Sequence, residues 1–327
     1  MITVRQNYTT VLGFECLNSC IYNHIFNIGC SIDKSDIYFI GDGIRFSKKA
    51  SINPLRIATN MYESNFAFLK KANIYFKYEK AKGKQEAIAL LLESIKSGSF
   101  LCIRVGTELL VHNPVFQHVI NTPHFINPIG VDLNNDLIYI SDGYIPSQHS
   151  TTFEGWTDFT AILNAWQSMD YCYMLLYSLD KLAENESTIK KVAKQRFKNA
   201  IAQYINNYDK ENKNQFSVNK LLNYLMSSFY RNQHDSFNEL ILKINYQLKV
   251  DGFLTAKRYV LDFMGSYKEY ENYFNKYQEI EKAWGHIDKH LIKIGITNEG
   301  KHLHDFINKV QDLCESENEI FKTIIEF

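Results

Sequence analysis

Leu12-Gly13-Phe14-Glu15-Cys16-Leu17-Asn18-Ser19-Cys20 opens a run in which Leu17, Ile21, Ile25 and Ile28 recur near helical spacing. The spacing predicts a helix over residues 15–28, with Cys16 in its first turn and Gly13 supplying a flexible approach. Backbone N–H groups at a helix start lack partners within the helix. Together with the helix dipole they favour a thiolate and can donate to an oxyanion. Cys20 lies one turn further in, where packing is its expected role.

A cysteine nucleophile needs a base and a group that orients the base. Thr122-Pro123-His124 sets a histidine at the start of one β-rich run, and Ser141-Asp142-Gly143 ends the next. A hairpin centred on Asn134–Asn135 makes facing residues sum to about 269, which brings Asp142 to the sheet end that carries His124. A carboxylate there can hold one imidazole nitrogen while the other takes the thiol proton. Cys16, His124 and Asp142 are therefore the candidate catalytic residues. Each also has a plain structural reading: a packed thiol, a strand-edge histidine, a turn aspartate.

The elements that must position them divide near residue 150. All five prolines lie in the first 146 residues, and no glycine falls between Gly155 and Gly252. Proline inside a helix loses a hydrogen bond and clashes with the preceding turn, so the proline-free second half reads as helical. Helices are expected at about 157–183, 187–208, 216–231, 234–249, 253–275, 276–293 and 302–325. The first half alternates. Helices are expected at Glu63–Ala72 and Lys84–Lys96, and strands at Asn53–Thr59, Ile74–Tyr78, Phe100–Val105, Leu109–His112, His124–Val131 and Leu137–Ser141. Helices first and an antiparallel sheet later give an α+β fold, with domains over 1–155 and 156–327.

Apolar residues make up 45% of the 327 and charged residues 22%, the balance of a folded chain. Lys+Arg and Asp+Glu are 36 each, which removes any global drive toward nucleic acid or an anionic membrane. No apolar run approaches the ~18 residues that span a bilayer, and the N-terminus lacks the pattern of a signal peptide. The six cysteines form no C-x-x-C pair. Scattered thiols of this kind point to a reducing cytoplasm, and no metal site is expected.

The cysteine at a helix start, followed by a hairpin with His first and Asp after the next strand, resembles the papain-like cysteine fold of the C39-peptidase kind. More narrowly, residues 10–150 resemble the N-terminal acyltransferase family of butirosin biosynthesis protein H. That likeness rests on Glu15-Cys16-Leu17-Asn18-Ser19-Cys20, Ile28-Gly29, Asp36-Ile37-Tyr38-Phe39-Ile40-Gly41-Asp42-Gly43-Ile44-Arg45-Phe46 and the His124/Asp142 hairpin. More loosely, the chain is similar to the papain-like amide synthetases of the closthioamide pathway. The resemblance implies a papain-like catalytic domain followed by a mostly α-helical one. It implies an acyltransferase that takes an acyl group from a carrier-protein thioester to an amine in an antibiotic pathway. The acyl group would arrive on a carrier's phosphopantetheine, with no other cofactor. A C39-like peptidase or hydrolase shares the site chemistry, and a non-catalytic binding protein on a papain-like shell is the third possibility.

Two positions depart from the family pattern. The family commonly has His directly before its cysteine, where this chain has Glu15. A carboxylate beside Cys16 works against a thiolate unless it points away. Related peptidases place a Gln a few residues before the cysteine as an oxyanion donor. Here Thr10 stands there, with Gln6 and Asn7 as the nearby amides. Further along, Lys190, Lys191, Lys194, Arg196 and Lys198 fall in a stretch without an acid, a solvated helix face or a dock for an acidic acyl or peptidyl carrier protein.

Overall fold

The computed structural model describes residues 2–5, 7–43, 61–112, 121–146, 150–210, 217–231, 237–238, 240–241, 244–245, 248, 253–297 and 299–326. The expected strand at Asn53–Thr59 lies outside them. The chain forms two compact units, Met1–Ile37 with Asn65–Lys191 and Tyr38–Ser64 with Val192–Phe327.

The first unit is α+β. Its strands are β1 (Ile2–Val4), β2 (Tyr75–Lys80), β3 (Phe100–Gly106), β4 (Pro123–Asp132), β5 (Leu137–Ile145), β6 (Thr151–Asp158) and β7 (Cys172–Tyr177). They form an antiparallel sheet in the order β2-β7-β3-β4-β5-β6, with β1 alongside the far end of β4. Its principal helices are α1 (Cys16–Asn27), α4 (Lys84–Ser97) and α5 (Phe159–Gln167), while α2 (Lys34–Ile40) and α3 (Met61–Lys71) each contribute residues to both units.

The central strands are covered on both faces. Nine of the ten residues of β4 are buried, whereas edge strand β2 buries none. One face carries Leu101, Ile103 and Val105 of β3, Ile126 of β4 and Ile138 and Ile140 of β5. These pack with Ala87 and Leu91 of α4 and with Ile162, Leu163 and Trp166 of α5. Each such aliphatic side chain contributes roughly 1.5–3 kcal/mol by leaving water. Helix α1 packs against β4 and β5 with Leu17, Ile21 and Ile25 fully buried. Its approach depends on glycine: a Cβ on Gly143 would lie 2.4 Å from Asn23 Nδ2, and one on Gly13 would meet Ser19 Oγ. The Gly13 N–H donates to the Gly143 carbonyl at 2.9 Å, tying the entry of α1 to β5.

The single helix expected over 157–183 is in fact the end of β6, then α5, β7 and a short helix at Asp180–Glu184. Cys172-Tyr173-Met174-Leu175-Leu176-Tyr177 is apolar throughout, so its pattern carries no readable period. Its ladders to β2 and β3 decide the matter and draw the first unit out to Lys191, beyond the expected division at 155/156. The expected strand Leu109–His112 is instead the end of a 3-10 turn at Thr107–Leu109 followed by a plain turn.

In the second unit every regular element among the described residues is helical. The main helices are the body of Glu186–Lys210, then Ser217–Tyr230, Phe253–Ser266, Glu271–Gly285, Ile287–Thr297 and Gly300–Glu326. Phe39, Phe197, Phe263 and Tyr270 pack as one aromatic cluster. A buried ion pair joins Lys257 and Glu317, and Tyr277 OH donates to the same carboxylate at 2.6 Å.

Candidate active site

Cys16 is the first residue of α1, and Glu15 is its N-cap, in extended conformation (φ −159, ψ 144). The Glu15 carboxylate folds back over its own helix. It accepts from Leu17 N–H at 3.0 Å, Asn18 N–H at 2.7 Å and Asn65 Nδ2 at 3.0 Å, while Cys16 Sγ lies 3.8 Å from Oε1. Burial pushes the Glu15 carboxyl above its ordinary value, against the pull of these donors. Two of the helix-start N–H groups expected to serve a thiolate or oxyanion are therefore already taken. The amide of Cys16 itself has no acceptor among the described residues. Cys16 is also the one cysteine of the six that is not buried. Cys20 is 1% exposed, and burial followed by the neighbouring Cys102 pushes its thiol well above the ordinary value.

The hairpin keeps the expected register near its turn. Asp132 faces Leu137, Val131 faces Ile138 and Gly130 faces Tyr139, each pair summing to 269. Asp132 holds that turn, accepting from Asn134 N–H and Asn135 Nδ2. Ile129 is then bulged out, and Pro128 faces Ile140 while Asn127 faces Ser141, each pair summing to 268. The shift has a chemical consequence. In the unbroken register, Asp142 would face position 127, and His124, three residues away, would point to the opposite side of the sheet. After the bulge, Asp142 falls opposite position 126 and shares a face with His124 on the diagonal. A second irregularity follows on the other side of β5, between Asp142 and Ile145.

His124 Nε2 lies 3.0 and 2.9 Å from the two Asp142 oxygens, with both residues buried. That contact uses Nε2, and Cys16 is a further hydrogen-bond partner of the same ring. Burial works to lower the His124 value. The charge and hydrogen bond of Asp142, and then Cys16, overcome it and push His124 up to about 10. Burial likewise works to raise Asp142, but the charge of His124 and the hydrogen bonds from both His112 and His124 hold it down at about 2. Each partner thus favours the charged form of the other, imidazolium with carboxylate. Cys16, His124 and Asp142 thus converge.

His112 was hidden in the sequence because its segment reads as a strand. Its Nε2 lies 3.1 Å from Asp142 Oδ2, and its side chain is 1% exposed. No spacing rule connects position 112 to 142; only the turn after Leu109 brings them together.

Of the oxyanion candidates, Gln6 lies outside the described residues. Thr10 is committed, its N–H to Glu154 at 2.6 Å and its hydroxyl to Ser141 at 2.7 Å. Among the described residues no group of three or more His, Cys, Asp or Glu side chains is arranged to hold a metal ion. Three of the five basic residues at 190–198 already have acidic partners: Lys190 with Glu186 at 3.5 Å, Lys194 with Glu269 at 2.6 Å and Arg196 with Asp42 at 3.2 Å. Among the described residues no helix is long and apolar enough to cross a membrane. No protein-family model matches the chain, and no curated protein matches it.

Proposed function

We propose that this chain is a cysteine-dependent acyltransferase of papain-like type, with Cys16 as nucleophile, His124 as acid and base, and Asp142 as the group that orients His124. One observation carries the reading: a buried imidazole bonded on one nitrogen to an ionised carboxylate also reaches the one partly exposed thiol. A cysteine heading a helix that packs on an antiparallel sheet bearing His and then Asp supports the papain-like assignment.

In the first half-reaction Cys16 Sγ attacks a thioester carbonyl. A C–S bond to Cys16 forms, the C–S bond to the carrier breaks, and His124 returns a proton to the departing thiolate. The Cys16 N–H is the donor placed to meet the oxyanion. In the second, an amine attacks the acyl group, His124 takes its proton, the C–N bond forms and the Cys16 thiolate leaves. Lys191 and Lys198, which have no ion-pair partner among the described residues, are the cations left for an acidic carrier protein. The six free thiols suit a cytoplasmic setting.

The test is intact-mass detection of an acyl adduct after incubation with acyl N-acetylcysteamine thioesters. The adduct is expected on Cys16, to be absent in Cys16→Ala, and to be discharged as an amide when primary amines are added. Discharge at one rate with or without amine would make the chain a hydrolase. Absence of any adduct would sink the nucleophile assignment.

A further inference from the structure

Asp142 serves two histidines. Its Oδ2 meets His112 Nε2 at 3.1 Å and His124 Nε2 at 2.9 Å, and its Oδ1 meets His124 Nε2 at 3.0 Å and the Tyr144 N–H at 3.2 Å. A carboxylate only accepts, so His112 must carry its proton on Nε2. The ring is fixed from a second direction by Phe153, at 4.7 Å between centroids, and Phe153 faces Asp142 across the β5–β6 ladder. His112 Nδ1 is buried and has no hydrogen-bond partner among the described residues. Placing an imidazole there leaves one polar atom without a partner among the described residues, a cost that a phenyl ring in the same place would avoid.

We propose that His112 is a positioning residue for the acyl-transfer site: by donating to Asp142 it draws off part of the carboxylate's charge and so weakens the grip of Asp142 on the His124 proton. The inference rests on the cysteine reading above and adds to it a reason for the second histidine. His124 has two opposed tasks. It must hold a proton beside the Cys16 thiolate, and it must give that proton up and take another from the acceptor. A carboxylate shared with His124 alone would serve the first task and hinder the second. The titratable groups around His124 are Asp142 on β5, Cys16 heading α1, His112 through Asp142, Glu15 beyond Cys16, and Cys20, which senses both Cys16 and Asp142. Of these, His112 is the one that meets the Asp142 carboxylate alongside His124.

The experiment is the pH dependence of Cys16 alkylation by iodoacetamide, which needs no substrate. The alkaline limb reports loss of the His124 proton and is expected to be replaced in His124→Ala by a single rise from ionisation of the thiol alone. In His112→Phe, which keeps a ring against Phe153 and removes the donor, that limb is expected to move upward by about half a pH unit or more. In His112→Gln, which keeps a donor, it is expected to stay near its wild-type position. An unmoved or lowered limb in His112→Phe overturns the inference while leaving the nucleophile reading intact. A wild-type chain with no preferential labelling of Cys16 overturns both. Should His112→Phe fail to fold, nitrogen-15 histidine spectra of the wild-type chain decide: a proton on His112 Nε2 that responds as His124 titrates supports the inference, and a proton on Nδ1 overturns it.

Discussion

Asp142 in the first unit and Glu317 in the second are both completely buried carboxylates, and they are held in different ways. Glu317 is paired with Lys257, whose ammonium lies 5.4 Å from the Tyr204 ring and 5.3 Å from that of Trp284, and Tyr277 closes the other oxygen. Asp142 is paired with two imidazoles, one of which reaches a thiol. An ammonium keeps its charge across the working range of a protein, whereas an imidazole changes charge within reach of neutrality. The first arrangement is a fixed ion pair that organises helices. The second can pass a proton to a neighbour. Burial and satisfaction of a carboxylate therefore do not mark a functional site; the chemistry of its partner does.

The largest expected effect breaks the fixed pair. Lys257→Met leaves Glu317 buried without its cation and should cost about 3–5 kcal/mol, read as a lowered denaturation midpoint. A Lys257→Met/Glu317→Met double variant should recover most of that loss. A Lys257→Met midpoint at the wild-type value would mean that the pair does not hold the second unit as described.

The proton-passing pair should show itself in pH dependence. His124 rises from 6.5 to about 10 on folding, so its contribution is complete below 6.5 and is lost as pH climbs toward 10. Asp142 falls from 3.8 to about 2, so its contribution is present above 3.8 and is lost as pH drops toward 2. The two titrate as one pair, whose stabilisation is complete between 3.8 and 6.5. Thermal melts of wild type and Asp142→Asn should differ most in that window and converge at its alkaline side. Parallel curves at all pH values would count against the ion pair.

A middle-sized effect tests how α1 is seated. Gly143→Ala forces a methyl group against Asn23 Nδ2 and, at 3.0 Å, Ser19 Cβ. It should cost about 1–3 kcal/mol and slow Cys16 alkylation as the helix start is pushed from β5. The smallest effect separates the two cysteines of α1. Cys20→Ala should cost about 1 kcal/mol through lost packing and leave Cys16 labelling in place.

The sequence made the helix at 16–27 legible because Leu17, Ile21 and Ile25 keep one period and glycines flank it. It also made the hairpin legible, since Asn134–Asp136 is a turn and the strands carry β-branched residues. What stayed hidden was non-local. A bulge at Ile129 leaves no compositional mark, yet it decides which face His124 occupies. β7 is buried along nearly its whole length, so its pattern could not be told from a helix. His112 owes its place to a turn rather than to a spacing, and the cap formed by Glu15 owes its Asn65 donor to a helix fifty residues away. The direction of Glu15 matters most. Its carboxylate is engaged by Leu17, Asn18 and Asn65 and stays within 3.8 Å of the Cys16 thiol, so burial and these donors together set its charge.

In the function proposed above, Cys16 is the nucleophile and His124, held by Asp142, is its base. The most direct test is site-resolved alkylation by iodoacetamide at neutral pH, followed by peptide mass spectrometry over all six cysteines, in wild type and in His124→Ala. Cys16 is expected to react at least about tenfold faster than any other cysteine, and His124→Ala is expected to remove most of this advantage. Labelling spread evenly over the cysteines, or a Cys16 rate unchanged in His124→Ala, would contradict it.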